Sequence, residues 1–350
     1  MMYIALAAPL SGPLSKFGTS MLRGGRMRID EIKHQRLWNG MTVRLIALND
    51  RGRPQEAARL ANNMGSHQSI VAVIGHLTTG CTLAAASLYD SARMVLVSPV
   101  ATGDDLATIT TPYMFRTIPS DSEQAASLAS HLHRTLNTKK VALIYKDSPL
   151  GNRLRASFLK RGEGMGLSVK DFAAAGPAFS SLNETIRNII LFRATAIFLA
   201  GGPRFAALLV RKWPEHTERP LTVGTHILIS EEFTELAGRH AHGTLAAHPC
   251  VWASDFKKGN QTRDRYEKKF KYVMDWPAIQ TYDAVDLALW AVRKSGSDRS
   301  SMRSVLSGRN SRHRSLPGLA GPIYFNRDGS LAREVTVAVY TKSGWKVRKR

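Results

Sequence analysis

The chain has 350 residues, 43% hydrophobic and 22% charged, so it is long enough for two domains with separate cores and has a globular composition. Its 49 lysines and arginines against 27 acidic residues give a formal net charge of +22. Such a charge is compatible with nucleic acid, an anionic membrane or an acidic protein as a partner. No apolar run reaches the ~18 residues of a membrane-spanning helix, and two cysteines are too few for a disulfide framework.

Strand-like runs alternate with helix-like stretches along the chain. The first third contains the β-rich runs MYIALAAP, TVRLIALND, IVAVIG and MVLVSP, separated by periodic segments such as TSMLRGGRMRIDEIK and PQEAARLANNMG. After about residue 118 the pattern restarts with SEQAASLASHLHRTL (helix), KKVALIYK (strand), LGNRLRASFLKRGEGMG (helix), and ATAIFLA and PLTVGT (strands). The last section is helical in TRDRYEKKFKYV and IQTYDAVDLALWAVRKSG, then β in GPIYFN and REVTVAVYT. This alternation predicts an α/β fold of two doubly wound parallel-sheet domains.

Ligands of open parallel sheets collect at the carboxyl ends of the strands. Five such ends are polar or rich in Gly and Pro: AVIGHLTTGCT, VSPVATGDD, YKDSPLG, AGGPR and VGTHIL. Their distribution over two domains predicts a ligand site in a cleft between them.

Enzyme and cofactor motifs are missing from the sequence. There is no G-x-S-x-G elbow, P-loop or G-x-G-x-x-G fingerprint, and the histidines lack a carboxylate companion at metal-ligand spacing. We therefore predict no catalytic group, no cofactor and no metal. The basic residues are spread along the chain without interleaved aromatics, which favours solvated surface charge over a specific nucleic-acid partner.

Two of the strand ends carry threonine hydroxyls. Thr78 and Thr79 precede Gly80 at the start of a predicted helix, where free N–H groups and a partial positive charge favour an anion. The segment Pro99 to Thr102 repeats this chemistry at the next strand end. Two such corners side by side are able to hold one carboxylate, although both threonines also fit as simple helix caps.

The stretch VIGHLTTGCTLAAASLYDSARMVLVSPVATGDDL resembles, without gaps, the leucine/isoleucine/valine-binding family of type I periplasmic solute-binding proteins of ABC transporters. The segments APLSGPLSKFG, FRTIPSDSEQA, KKVALIYKDSPLG and GPIYFNRDG extend the resemblance over nearly the whole chain. It implies two lobes joined by three hinge crossovers, with lobe one at 1–118 plus 250–326 and lobe two at 119–249 plus 327–350.

The resemblance also implies a function. Such proteins lack catalytic groups, close over a small ligand and present it to a membrane permease or to a sensor. We therefore expect a carboxylate-bearing ligand, first of all an apolar amino acid, and an extracytoplasmic location with an export signal removed. A regulatory ligand sensor of the same fold, or a receptor for an organic acid without an amine, are the alternatives.

Site residues carried over from the family lie in both lobes. In lobe one, Thr79 and Thr102 would grip the carboxylate and Phe17 would cover the ligand side chain. The residues Leu77, Thr78 and Val100 would line the same wall.

Lobe two departs from the family pattern. Leu150 stands where relatives often have a tyrosine, and Pro203 and Arg204 replace expected tyrosines. His226 stands where relatives have the acid that pairs with a ligand ammonium, and a neutral histidine replaces that acid poorly. Asp121 is retained and would be able to take over the ammonium, unless it only caps the following helix; Arg204 also fits as a solvated helix-start residue.

The chain start and the cysteines leave alternatives open. The opening MMYIALAAPLSGP lacks the features of a signal peptide, so the sequence fits either a cytoplasmic protein or one from which an export signal was removed. We expect Cys81 and Cys250 to be free buried thiols, unless the fold brings them together.

Overall fold

The computed structural model describes residues 1–33, 42–109, 111–174, 182–250 and 257–347. The chain forms two compact units and passes between them three times. Unit 1 consists of Met1–Pro119 and Trp252–Glu334, and unit 2 consists of Ser120–Val251 and Val335–Arg350. Both units combine parallel strands with helices, which confirms the predicted α/β fold of two lobes.

The strands, in chain order, are β1 (Met2–Ala8), β2 (Val43–Asn49), β3 (Ile70–Gly75), β4 (Val95–Ser98), β5 (Met114–Arg116), β6 (Lys140–Lys146), β7 (Ser168–Ala174), β8 (Ala196–Ala200), β9 (Leu221–Gly224), β10 (Leu245–His248), β11 (Leu316–Gly318), β12 (Gly321–Ile323), β13 (Thr336–Thr341) and β14 (Gly344–Val347). The α-helices are α1 (Ser15–Lys33), α2 (Pro54–Gly65), α3 (Thr79–Ser91), α4 (Asp121–Ser130), α5 (Pro149–Glu163), α6 (Leu182–Phe192), α7 (Pro203–Arg211), α8 (Glu231–Ala237), α9 (Lys257–Phe270), α10 (Trp276–Ser295) and α11 (Arg299–Ser307). Within the described ranges, no helix is both long and apolar enough to cross a bilayer.

Unit 1 is built on a parallel sheet with the strand order β2-β1-β3-β4-β5. Successive side chains of a strand point to opposite faces, and β1 shows this in its packing: Ile4 joins the core under α1, α10 and α11, while Ala5 joins the core under α2 and α3. Every residue of β3 is buried because helices cover both faces. The carboxyl ends of these strands therefore lie at one edge of a rigid, two-sided core.

Helices α1 and α10 pack unusually close at one point. A Cβ atom on Gly24 of α1 would lie 2.1 Å from the carbonyl oxygen of Ala278 in α10, a distance that no side chain tolerates. Glycine at this position therefore lets the two backbones approach and sets the spacing of the helix pair that covers this face of the sheet.

Unit 2 contains a sheet of mixed direction with the order β14-β13-β10-β9-β8-β6-β7. Strands β6 to β10 run parallel, whereas β13 pairs antiparallel with β10 and β14 antiparallel with β13. The second antiparallel pair closes one side of the sheet with residues from the end of the chain. The segments that follow β6, β8 and β9 carry Leu150, Arg204 and His226, whereas Asp121 is the first residue of α4.

One predicted boundary is wrong. The chain was expected to return to lobe two at residue 327, but residues 327–334 belong to unit 1. Gly329 accepts a backbone hydrogen bond from Arg116 at 2.9 Å, and Leu331 is fully buried in the unit 1 core. Because this segment is bonded to strand β5 and packs into the core of unit 1, the return to unit 2 begins only at Val335.

Candidate functional site

The candidate site in unit 1 lies where β3 and β4 end. These strands are neighbours in the sheet, so the segments that follow them leave the same edge side by side. Helix α3 begins four residues after Gly75, and the segment Pro99 to Gly103 follows Ser98. The two threonine corners of the sequence therefore belong to adjacent strand ends.

The first corner is the N-terminus of α3. Thr78 is its N-cap, and its Oγ1 accepts a hydrogen bond from the N–H of Cys81 at 3.2 Å. The amides of Thr79 and Gly80, in the first turn, have no carbonyl within the helix to bond. Together with the partial positive charge of the helix end, they form an environment that favours an anion.

The second corner is joined to the first by a hydrogen bond. The Oγ1 atom of Thr79 accepts the N–H of Gly103 at 3.1 Å, so its hydroxyl hydrogen is left to donate to another group. Thr102 directly precedes Gly103, is 5% exposed, and forms no side-chain hydrogen bond with the described part of the chain. The structure thus places the two threonines on segments that contact each other.

The remaining unit 1 residues of the predicted site are in or near these segments. Leu77 and Thr78 are half-buried and Val100 is buried. Phe17 lies in the first turn of α1 and is half-buried, with its ring 6.5 Å from that of Trp276. Trp276 was missed by the sequence analysis; its position directly after the N-cap Asp275 of α10 was the available signal.

A second residue missed from the sequence is Arg116, the last residue of β5. It is 4% exposed, and its Nη1 atom donates to the carbonyl oxygen of Gly103 at 3.0 Å. The only sequence signal was an arginine directly after an apolar strand, in the segment FRTIPSDSEQA. The sequence did not show its partner Gly103, because these two residues are 13 positions apart and are brought together by the pairing of β4 and β5.

A buried polar chain supports the first corner from within. The His76 Nδ1 atom lies 2.7 Å from Asp50 Oδ2, and His76 Nε2 lies 3.2 Å from the hydroxyl of Tyr89. All three side chains are completely buried, and His76 directly precedes Leu77. Burial raises the pKa of the neighbouring Cys81 thiol to about 11, so this cysteine is protonated near neutral pH and is a poor nucleophile.

In unit 2, Asp121 is completely buried in the first turn of α4, 3.5 Å from Nε of Arg153. The alternative that Asp121 caps this helix is wrong. Ser120 is the N-cap, and it forms a reciprocal capping box with Glu123. A buried carboxylate beside a guanidinium already has a cationic neighbour.

His226 is completely buried at the carboxyl end of β9. Both its Nδ1 atom, at 2.7 Å, and its backbone N–H, at 3.1 Å, are directed at Oε1 of Gln124. Burial lowers the pKa of His226 to about 3, and nearby His248 acts in the same direction, so the ring is neutral at physiological pH. His226 therefore offers hydrogen bonding without charge.

The other two predicted lobe-two residues have ordinary positions in unit 2. Leu150 is half-buried in the first turn of α5 and packs against the hydrophobic core of that unit. Arg204 is exposed in the first turn of α7. Among the side chains that the structure describes, no cluster of three or more His, Cys, Asp or Glu residues has the geometry to hold a metal ion.

Comparison with known proteins gives a family match over nearly the whole chain. A family model described as "Periplasmic binding protein" matches residues 2–344. A curated relative, the Leu/Ile/Val-binding protein homolog 3 of Brucella melitensis, is 24% identical over 296 residues, which cover 84% of this chain and 79% of that protein.

Solved structures share the same fold. The branched-chain amino acid transporter substrate binding protein LivJ of Streptococcus pneumoniae, in complex with isoleucine, aligns with a TM-score of 0.84 and 22% identity over 100% of both chains. A solute binding protein of an ABC transporter from R. palustris, in complex with benzoate, aligns with a TM-score of 0.83 and 16% identity, covering 99% of this chain and 95% of that one.

Proposed function

This chain belongs to the periplasmic binding protein family, and on that premise we propose that it captures a small carboxylate-bearing ligand for an ABC importer. An apolar amino acid is the first candidate, because a relative at 24% identity carries the name of a Leu/Ile/Val-binding protein. The role is binding rather than catalysis, and the proposed location is extracytoplasmic. The proposed partner is the membrane permease of the importer.

The observation that carries this proposal is the hydrogen bond between Thr79 and Gly103. It joins two neighbouring strand ends and leaves the Thr79 hydroxyl hydrogen available to a further acceptor. The Thr102 hydroxyl and the first-turn amides of α3 supply additional donors in the same region. Several donors suit a carboxylate, which accepts up to four hydrogen bonds, and the acids Asp104 and Asp105 come only after Gly103.

The predicted contacts from both units remain part of the proposal. In unit 1 these are Thr79, Thr102, Leu77, Thr78, Val100 and Phe17, with Trp276 added because its ring adjoins that of Phe17. In unit 2 they are Asp121, Leu150, Arg204 and His226.

A second candidate, an organic acid without an amine, is favoured by the chemistry of unit 2. The His226 ring is neutral at physiological pH and is held by Gln124, and Asp121 lies beside Arg153. His226 therefore offers no negative charge to a ligand ammonium, and the carboxylate of Asp121 already has a cationic neighbour. The benzoate-bound R. palustris protein shows that one protein of this fold holds an acid of this kind.

Titration calorimetry with leucine, isoleucine, 4-methylpentanoate and benzoate tests both candidates. The double variant Thr79→Ala/Thr102→Ala removes hydroxyl donors worth roughly 1.5 to 3 kcal/mol each to a charged acceptor, so affinity for the bound acid should fall at least about tenfold.

The matched control is Thr195→Ala. Thr195 is an exposed threonine at the amino end of β8, whose hydroxyl donates to the carbonyl of Lys140, so its loss should leave affinity unchanged. Equal affinity in the double variant and the native chain would mean that the carboxylate binds elsewhere. No heat from any of the four acids would refute the proposed function.

A further inference from the structure

We propose that Arg116 is a positioning and specificity-determining residue for the ligand carboxylate. It holds the Thr79–Gly103 contact in place and makes the corner prefer an anion over a neutral ligand of the same shape. The inference rests on the proposed function, because it concerns the same corner of unit 1.

Gly103 is held at both of its backbone polar atoms. Its N–H donates to Oγ1 of Thr79 at 3.1 Å, and its carbonyl oxygen accepts from Nη1 of Arg116 at 3.0 Å. The Arg116 main chain is fixed in turn, since β5 pairs with β4 and the Arg116 N–H donates to Gly329 at 2.9 Å. A guanidinium anchored in the sheet thus fixes the loop that carries Thr102.

This arrangement decides which way the threonine hydroxyls can act. Because the Gly103 N–H occupies an acceptor site of Thr79, that hydroxyl keeps its hydrogen for a ligand. The peptide group that supplies this N–H also contains the carbonyl of Thr102, so a shift of Gly103 moves both threonines. Loss of the Arg116 contact would release the carbonyl that keeps Gly103 in this position.

Arg116 also introduces a buried charge. It has no carboxylate within ion-pair distance among the residues that the structure describes, and its side chain makes no hydrogen bond there besides the one to Gly103. A buried, unpaired charge is unfavourable, and a nearby anion offsets that cost. Through the bonded atoms of Gly103 the guanidinium is at most about 10 Å from the Thr79 hydroxyl, where its field favours a carboxylate about tenfold.

The charge effect separates Arg116 from a residue that only stabilises the fold. A purely structural arginine would change the binding of an acid and of its amide by the same factor. An electrostatic arginine changes the ratio of the two affinities, because the amide has the same shape but no charge. The test therefore compares the affinity for 4-methylpentanoate with that for 4-methylpentanamide, and the affinity for leucine with that for leucinamide.

Calorimetry on the full chain should show a preference for the acid that falls about tenfold in Arg116→Met. Arg116→Lys keeps the charge but loses the planar fork, so it should retain most of the preference while binding both probes more weakly. This second variant also provides the test if Arg116→Met does not fold.

Arg299→Met is the matched control. The Arg299 guanidinium donates to the carbonyls of Gly65, His67, Ile70 and Ala92, and Ile70 lies at the amino end of β3, the opposite edge of the sheet. This variant should lower the melting temperature and leave the acid-to-amide ratio unchanged.

One result would overturn the inference alone: an acid-to-amide ratio in Arg116→Met equal to that of the native chain, while Thr79→Ala/Thr102→Ala still loses affinity for the acid. A native chain that binds none of leucine, isoleucine, 4-methylpentanoate and benzoate would overturn the proposed function together with the inference.

Discussion

A threonine hydroxyl has one hydrogen to donate and two lone pairs to accept with, and Thr79 divides these between the protein and the proposed ligand. One acceptor site of the Thr79 hydroxyl is occupied by the N–H of Gly103. The donor is then available for a group that only accepts, such as an ionised carboxylate. Thr78, by comparison, accepts from the Cys81 N–H and acts as a helix cap, so adjacent threonines have different roles.

The space around Gly103 gives a direct prediction. A Cβ atom there would lie 2.3 Å from Cγ2 of Thr79, while the backbone φ of −57° suits any residue. Gly103→Ala should therefore displace the Thr79 side chain without straining its own backbone. We expect a roughly 5- to 150-fold loss of affinity for the bound acid, which corresponds to the about 1 to 3 kcal/mol that overpacking costs.

Calorimetry on Gly103→Ala and on the control Gly308→Ala checks this expectation. Gly308 has a φ of −67°, and a Cβ atom there would meet nothing closer than 3.4 Å. Gly308→Ala should bind as the native chain does. Native affinity in Gly103→Ala would show that the Thr79 side chain does not have to occupy its present position for binding.

The sequence was informative about single residues only where local chemistry decides their role. Hydroxyls next to a glycine at a strand end identified Thr79 and Thr102 as candidates, and the structure places their segments in contact. Arg116 and Trp276 were missed because their neighbours are 13 and 259 positions away, at Gly103 and Phe17. Such pairs depend on strand order and helix packing, which no local pattern reveals.

At the scale of elements, buried strands and well-bounded helices were predicted closely. The run IVAVIG is strand β3, and PQEAARLANNMG is helix α2, whose start is marked by a proline at its first position. The helix predicted over SEQAASLASHLHRTL instead ends at Ser130 and continues as a π-helical turn over His131–Thr135. The strand within GPIYFN is short, and its antiparallel partner β11 was not predicted.

The β11–β12 hairpin shows why short elements escape sequence analysis. Its turn is held by Asp283 of α10, whose carboxylate accepts the N–H groups of Leu319 at 2.7 Å and Ala320 at 2.8 Å. The interaction spans 36 residues, and the strands themselves have three residues each. The hairpin therefore depends on a contact with a helix rather than on strand propensity.

Asp283 predicts a pH dependence of stability. Burial raises the pKa of this carboxyl to about 7, although two backbone hydrogen bonds and nearby Arg333 act in the opposite direction. A folded-state pKa above the unfolded value stabilises the protein at low pH. That contribution is lost as pH rises from the unfolded pKa, near 4, through about 7.

Urea unfolding of the native chain and Asp283→Asn measures this effect. The asparagine does not titrate, so the native chain should lose roughly 2 to 4 kcal/mol of unfolding free energy relative to the variant between about pH 4 and about pH 8. A difference that stays constant with pH would show that Asp283 does not change its protonation in this range. A difference of opposite sign would show that the ionised carboxylate is the stabilising form.

At the scale of the whole molecule, the repeated alternation of strands and helices was enough to predict two lobes. It was not enough to predict the position of one crossover. The return to unit 2 at Val335 depends on the hydrogen bond that Gly329 accepts from Arg116 of β5, and on Leu331 packing in the core of unit 1. A Cβ atom on Gly329 would lie 2.3 Å from the carbonyl of Met114, so this close pairing requires glycine. The sequence shows the glycine without showing what approaches it.

The net charge of +22 gives the last prediction, which concerns association rather than affinity. A strongly positive molecule raises the local concentration of an anion near its surface, and dissolved salt screens this attraction. The association rate constant of 4-methylpentanoate should fall roughly three- to tenfold between about 20 and about 300 mM NaCl. The neutral 4-methylpentanamide should associate at a rate that salt leaves unchanged.

Stopped-flow tryptophan fluorescence is the suitable measurement, because Trp276 lies beside the proposed ligand contact Phe17. The amide is the internal control, since it corrects for any effect of salt on the protein itself. If the acid and the amide respond to salt equally, surface charge does not steer the ligand. If only the acid slows, the basic surface contributes to ligand capture before any contact with Thr79 or Thr102 is made.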